Sequence, residues 1–351
     1  MPGRGRGVKR KATSQRRNDD GQETRLTQPD PGRQIQEISS GSRQVSCPCA
    51  PASLDHLRAT AKYLMQGSIA LNTLRTYDTA LSAFHTFRMS YKLESCWPTN
   101  SQQVILFITH CFELGLASKT IKTYIAGITY FHKANGWADF TGNFVIAKLL
   151  EGYSRMRKSV DLRAPITKRV LAILIPELPR ITFSLYETKL FTAIWVLAYF
   201  GLFRVSELVI SSAVGSFDCL KFEDITVHDH YISVRLLKHK TNQRGVPTIL
   251  QIPEERDSML CPVKAMREFL EIRPKADGPL FCHVDSKFVT RYQFTALLLK
   301  CVSKAGLAHN KFRSHSFRIG RASDLSVMGL APSDIKAMGR WSSDSYKVYI
   351  R

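Results

Sequence analysis

Ala193-Ile-Trp-Val-Leu-Ala-Tyr-Phe200-Gly201-Leu-Phe203-Arg204-Val-Ser206-Glu207-Leu208 is an apolar run that ends at a glycine and turns at once into a charged pair. The span from Ala193 to Phe203 lies between Lys189 and Arg204 and is the most apolar part of the chain. A bilayer needs about 20 such residues. The run is too short for that and predicts a helix buried inside a globular domain. The arginine at its end has a particular use. A guanidinium is planar, forked and always charged, which suits a pair of non-bridging phosphate oxygens. Glu207, three residues on, is placed to orient Arg204 or a later histidine. Taken alone, an ion pair at a helix end explains the same residues.

Downstream, Ile225 to Val227, Tyr231 to Leu237 and Thr248 to Ile252 cluster β-formers around turn residues and predict a small three-stranded antiparallel sheet. The second turn is polar and basic: Arg235-Leu-Leu-Lys238-His-Lys240-Thr-Asn242-Gln-Arg244-Gly245. Asn242 and Gly245 suit a turn, and Lys240 stands near its tip. After Pro262 helical patterns return. They carry Ser314-His315-Ser-Phe-Arg318, where a helix sets His315 and Arg318 one turn apart on one face. The sequence closes on Gly339-Arg340-Trp341-Ser-Ser-Asp344-Ser-Tyr346-Lys-Val-Tyr349-Ile-Arg351. An indole N–H can donate to a phosphate oxygen. A tyrosine hydroxyl, with a free pKa of about 10, becomes a nucleophile only among cationic neighbours.

Upstream, residues 165 to 351 are preceded by a second helical region, 51 to 158. Ser53 is the expected cap of a first helix with Leu54, Leu57, Ala61 and Leu64 on one face. Three more follow, through Leu74 to Phe84, Val104 to Phe112 and Ile121 to Phe131, and a fifth covers about 142 to 158. Residues 159 to 168 read as a linker, with Thr167 as the next cap. Residues 1 to 50 have almost no large apolar side chains and are expected to be a disordered basic tail. The tail holds Lys9-Arg10-Lys11 and Arg16-Arg17, a spacing that resembles a bipartite nuclear-import signal, and it also fits a DNA-grazing arm.

The net charge of +21 favours a polyanionic partner, nucleic acid first. The eight cysteines are scattered; only Cys47 and Cys49 are close, and no nearby histidine or second pair completes a zinc site, so free thiols are expected. The first residues lack the apolar core of a secretory signal.

Arg204, Lys240, His315-x-x-Arg318, Trp341 and Tyr349, in that order, resemble the catalytic domain of the tyrosine recombinases, also called the phage-integrase family. Glu207 matches the acidic residue that follows the first arginine of that family, and Lys240 matches its hairpin lysine better than Lys238 does. Trp341 stands where most members have a second histidine. The eight-residue spacing from Trp341 favours Tyr349 over Tyr346 as nucleophile. Gly339-Arg340-Trp341-Ser-Ser-Asp344 and the closing Tyr349-Ile-Arg351 look most like the eukaryotic transposon-encoded branch, such as DIRS-like elements and Cryptons.

The resemblance spans about residues 53 to 351 and implies a mainly α protein with a small antiparallel sheet. A helical SAM-like core-binding domain would precede an α+β catalytic domain. It implies an enzyme that cuts and rejoins double-stranded DNA, with Tyr349 as nucleophile and Lys240 as acid on the leaving oxygen; nuclear localisation is expected from the basic pairs of the tail. Arg204, Arg318, His315 and Trp341 would sit around the phosphate, supported by Glu207. No cofactor or metal is expected, no membrane, and a homotetramer on DNA. The sequence ends two residues after Tyr349, where many members continue into a helix that docks on a neighbouring subunit, so either the usual cyclic tetramer contact is not made or a different contact replaces it. Two other readings share these residues: a non-catalytic DNA-binding descendant, and a type IB topoisomerase or resolvase.

Overall fold

The computed structural model describes residues 53–157, 161–211, 218–237, 246–257 and 259–351. By their contacts they divide into two compact units, one formed by the chain up to Pro98 with Thr123–Asp139, the other by Thr99–Lys122 with Phe140–Arg351.

The first unit contains α1 (Leu54–Gly67), α2 (Leu71–Ser90) and most of α4 (Ser118–Ala134). The expected cap at Ser53 is present: its Oγ accepts from the His56 amide at 3.2 Å. Helices α2 and α4 approach backbone to backbone at Gly127, where a Cβ would come 2.9 Å from Ala80 Cβ. An aromatic cluster follows. Trp97 meets Phe131 edge-on at 4.6 Å and stacks on Trp137 at 6.0 Å, and the buried Arg88 guanidinium lies 4.3 Å from the centre of the Phe84 ring. Helix α1 differs from expectation. Its apolar stripe is exposed, with Leu54 at 71%, Leu57 at 53% and Leu64 at 65%, and no residue of α1 is buried. Period alone makes a helix; burial also needs an opposing apolar face, and none among the described residues covers this one.

The second unit begins with α3 (Ser101–Glu113), capped by Asn100, and α5 (Phe144–Met156), capped by Asn143. The Tyr153 hydroxyl ties them, lying 3.0 Å from the Cys111 carbonyl and 2.8 Å from that of Leu116. Next come α6 (Lys168–Leu174), a 3₁₀ segment (Ile175–Arg180) and α7 (Leu185–Phe200). Thr167 caps α6, as expected, and Ser184 caps α7. From Leu190 to Phe200 only Thr192 of α7 escapes full burial, which agrees with the uniformly apolar reading.

The sheet is antiparallel in the order β1 (Ile225–Val227), β2 (Tyr231–Leu236), β3 (Thr248–Pro253). Ile232 pairs with Ile252 and Val234 with Leu250. Ile232, Val234 and Leu236 are buried on one face, so a one-residue slip would turn all three to the other face and is disfavoured. Helix α9 (Pro262–Ile272) packs on both the sheet and α7. α8 (Val205–Leu208), α10 (Arg291–Lys304), α11 (Ser316–Val327) and α12 (Pro332–Met338) complete the helices, and a 3₁₀ segment (Asp344–Tyr349) ends the chain. Residues 164–167 cross α11 closely: the Ile166 amide donates to the Ser316 carbonyl at 2.9 Å, and a Cβ on Gly320 would lie 1.7 Å from the Ile166 carbonyl oxygen. Only glycine fits at 320.

No helix among the described residues is long and apolar enough to cross a membrane, and no group of three or more His, Cys, Asp or Glu among them is placed to hold a metal. The 1–50 tail, Cys47 and Cys49 lie outside the described residues.

Candidate active site

α7 ends where the sequence suggested. Gly201 donates to the Leu197 carbonyl, Phe203 to that of Ala198, and Leu202 stands between them at φ +49°. That left-handed residue turns the chain so that Arg204 opens α8. The Glu207 side chain reaches back: Oε2 accepts from the Arg204 amide at 2.8 Å and Oε1 from the Arg204 Nη1 at 2.7 Å. Glu207 therefore does orient Arg204. Its carboxylate is buried, which by itself raises a carboxyl pKa. The charges of Arg340 and Arg204 and the hydrogen bonds from Arg204 outweigh that, and the net shift is downward.

Arg318 lies in the first turn of α11 and is wholly buried. It donates to the Leu202 carbonyl from Nη1 and to the Gly339 carbonyl from Nη2 at 2.9 Å. Its Nε has no hydrogen-bond partner among the described residues. The guanidinium carbon is 4.6 Å from the centre of the Trp341 ring and 5.5 Å from that of Tyr349, close enough for cation–π attraction. Burial, then the charges of Arg204 and Arg340, lower its pKa to about 9, still protonated at neutral pH.

His315 stands at the residue before α11, one turn from Arg318. Its Nε2 is 3.1 Å from the Tyr349 hydroxyl. Burial first, then the charges of Arg163, Arg318, Arg204 and Arg291, push its pKa down to about 4, so the imidazole is neutral at pH 7. Trp341 packs in a small cluster with Leu202, Ala322, Leu325, Ile335 and Tyr346, and its ring centre is 5.1 Å from that of Tyr349. The ring also lies where a Cβ on Gly339 would be, 1.7 Å away, so Gly339 gives it room.

Tyr349 ends the last 3₁₀ segment, half-buried. Few contacts hold it. Its carbonyl accepts from Ser323 Oγ at 3.3 Å, Arg351 N donates to the same Oγ at 2.9 Å, and Arg351 Nη2 reaches Asp161 at 2.7 Å. Arg163 also grips Asp161, through Nε at 2.8 Å and Nη2 at 2.9 Å. Tyr346 is buried against Trp341 instead of facing His315, so its position does not compete with that of Tyr349.

Arg204, Glu207, His315, Arg318, Trp341 and Tyr349, drawn from three separate stretches of the sequence, thus form one linked cluster. Lys240 and Lys238 fall in residues 238–245, outside the described residues. The sequence reading gave no role to Arg340, Asp161 or Arg163. Arg340 was visible as a charge inside a buried motif, between Gly339 and Trp341; which carboxylate it meets was not.

Known proteins define the class. Residues 186–350 match the phage integrase family, and residues 60–138 match the N-terminal SAM-like domain of phage integrases. The chain is 26% identical over 283 residues to the integrase/recombinase xerD homolog of Selenomonas ruminantium, a match covering 76% of this chain and 77% of that protein. Solved structures agree in fold. The Tn1549 transposon integrase with circular intermediate DNA has a TM-score of 0.59 at 15% identity, covering 83% of this chain and 93% of that one. XerH site-specific recombinase on palindromic difH, a post-cleavage complex, gives 0.57 at 15%, covering 79% and 75%. A lambda integrase dimer on a COC′ core site gives 0.56 at 17%, covering 85% and 76%. The chain thus carries phage integrase family domains, and its fold, mainly α with a SAM-like domain and a small antiparallel sheet, is that of tyrosine recombinase structures.

Proposed function

We propose that the protein cuts and rejoins double-stranded DNA at specific sites through a 3′-phosphotyrosyl link to Tyr349. The observation that carries this is the Tyr349 hydroxyl 3.1 Å from a neutral His315 Nε2, beside the Arg318 guanidinium. With the ring proton on Nδ1, Nε2 accepts the tyrosyl proton as the oxygen attacks phosphorus. The phosphorus–5′-oxygen bond breaks, and Lys240 supplies a proton to the leaving oxygen. Arg204 and Arg318 offset the charge that builds on the non-bridging oxygens, where fixed cationic donors are worth most. Trp341 packs against the nucleophile, and Glu207 holds Arg204. The bond energy stays in the phosphotyrosyl link, so a 5′-hydroxyl can reverse the step without further energy input.

The DNA partner is supported by the charge of +21 and by the DNA held in the XerH, Tn1549 integrase and lambda integrase complexes. Strand exchange between two duplexes would use four protomers. The closing motif around Trp341 supports an origin in the eukaryotic transposon-encoded branch, and the basic pairs in residues 9–17 support nuclear import. Deleting residues 1–20 and locating the protein tests the import assignment: retention in the nucleus argues against it.

Covalent capture tests the chemistry. The protein is mixed with a pool of nicked duplexes, resolved under denaturing conditions, and the attached DNA is sequenced, beside Tyr349→Phe. Expected is a wild-type adduct that is absent from the variant, while the variant still binds DNA. Tight, salt-sensitive binding with no adduct would point to the non-catalytic descendant instead.

A further inference from the structure

We propose that Arg340 is a positioning residue for the phosphate clamp: it shares the Glu207 carboxylate with Arg204 and the Leu202 carbonyl with Arg318, which fixes both guanidiniums and offsets the carboxylate charge beside them. The inference rests on the cleavage reading above.

Arg340 is itself out of reach of DNA. Its side chain is 3% exposed, and its guanidinium carbon lies 5.1 Å from the centre of the Phe203 ring. Its backbone is at φ +56°, a region that side chains other than glycine adopt at a cost. Something must hold it there, and its donors show what. Nη2 gives to Glu207 Oε2 at 2.9 Å and to the Leu202 carbonyl at 3.1 Å; Nη1 gives to the Gly201 carbonyl at 3.1 Å. Glu207 is the group that fixes Arg204. The Leu202 carbonyl is the group that accepts from Arg318. One buried guanidinium therefore touches an acceptor of each clamp arginine.

Charge gives this geometry a purpose. With Glu207 paired to Arg204 alone, the carboxylate would neutralise the arginine it positions. Arg340 supplies the second cation. Three guanidiniums (Arg204, Arg318, Arg340) and one carboxylate (Glu207) leave two positive charges. A phosphodiester has one negative charge, and the five-coordinate state formed by tyrosyl attack gathers two. Fixed positive charge stabilises the doubly charged five-coordinate state more than the singly charged diester, which is the condition for speeding the step instead of only tightening binding. Removing Arg340 would leave one net positive charge and a carboxylate committed to Arg204.

The test uses a duplex recovered in the capture experiment, in single turnover at saturating protein, with wild type, Arg340→Met, Arg340→Lys, Glu207→Gln and the double variant Glu207→Gln/Arg340→Met. Binding of the same duplex and thermal unfolding are measured beside the rate. Expected is a drop of about 100-fold in the adduct rate for Arg340→Met, the size seen when one charge-stabilising donor is lost, with DNA affinity changed far less. The double variant should be about tenfold faster than Arg340→Met, because removing the carboxylate restores two net positive charges. Arg340→Lys keeps the charge without the fork and should fall between wild type and Arg340→Met. It also serves as the readout if the methionine variant does not fold. A double variant no faster than Arg340→Met would mean that Arg340 only packs, and would overturn the inference. An Arg340→Met or Arg340→Lys rate equal to wild type would overturn it as well. A wild type without adduct would overturn the cleavage reading, and this inference with it.

Discussion

The two walls of the cluster are built differently. The arginine wall, Arg204, Glu207, Arg318 and Arg340, comes from the start and body of α8, the start of α11 and the turn after α12, and is part of a core. Glu207, Arg318 and Arg340 are each under a tenth exposed; the Nη atoms of the two arginines donate to backbone carbonyls or to Glu207, and the Glu207 carboxylate accepts from Arg204 and Arg340. The tyrosine wall is one short 3₁₀ segment, Asp344–Tyr349, held by Ser323, His315, Trp341 and the Arg351–Asp161 pair. The arginine cluster is thus set during folding and stays fixed, while Tyr349 is fastened lightly at the edge. Substitutions on the first wall should cost stability as well as chemistry; those on the second should cost chemistry almost alone.

The largest expected effect is on the buried side. Glu207→Ala leaves Arg340 as an unpaired buried charge and should lower unfolding stability by about 3–5 kcal/mol, read from denaturant or thermal unfolding. A loss under about 1 kcal/mol would break the contrast, because it would mean that the arginine wall is not part of the folding core.

His315 links the walls and gives a pH signature. Its folded pKa of about 4 lies below the ordinary 6.5, so the unfolded chain takes up the proton first as pH falls. Its contribution to stability is intact above pH 6.5 and is lost as the pH drops from 6.5 towards 4. The loss is about 3 kcal/mol at about 1.4 kcal/mol per pKa unit. In His315→Gln that part of the slope should vanish. An unchanged slope in the variant would assign it to other groups.

On the other wall, Tyr349→Phe removes one hydroxyl facing His315 and should change stability by about 1 kcal/mol or less, while abolishing the adduct. A large fall in melting temperature would show that Tyr349 belongs to the core after all. The smallest stability effect is expected from Asp161→Asn. The Asp161–Arg351 and Asp161–Arg163 pairs are partly exposed, worth under about 1 kcal/mol together with screening. The adduct yield should nevertheless fall several-fold, since Arg351 no longer steadies the residue two before it. Equal yield would remove Asp161 from the tyrosine wall.

Much of this site was legible in advance. Arg204 and Glu207 were readable because a helix that stops at a glycine must be followed by a turn, and a carboxylate three residues on reaches back to it. His315 and Arg318 were readable because one helical turn sets them side by side. The sheet followed from β-formers between turns. Arg340 was not readable. Its partner Glu207 is 133 positions away, and its left-handed backbone is tolerated only because that partner and the Leu202 and Gly201 carbonyls hold it. The Asp161–Arg351 pair, 190 positions apart, was hidden for the same reason.

Helices α1 and α7 mark the boundary between the two kinds of information. Both were expected from the sequence and both formed, because helix starts, caps and apolar periods act within a few residues. So did the caps at Ser53 and Thr167, the three strands and the order of the chemical groups. The burial of α7 was legible as well, because that helix is apolar all round; only the tertiary structure decided that the stripe on α1 stays exposed, that Tyr349 faces His315 while Tyr346 turns into the core, and that a third guanidinium shares the Glu207 carboxylate. Burial and ion pairing depend on surfaces brought together from distant parts of the chain. Their free energy exists only once that meeting has occurred, and no local pattern records it.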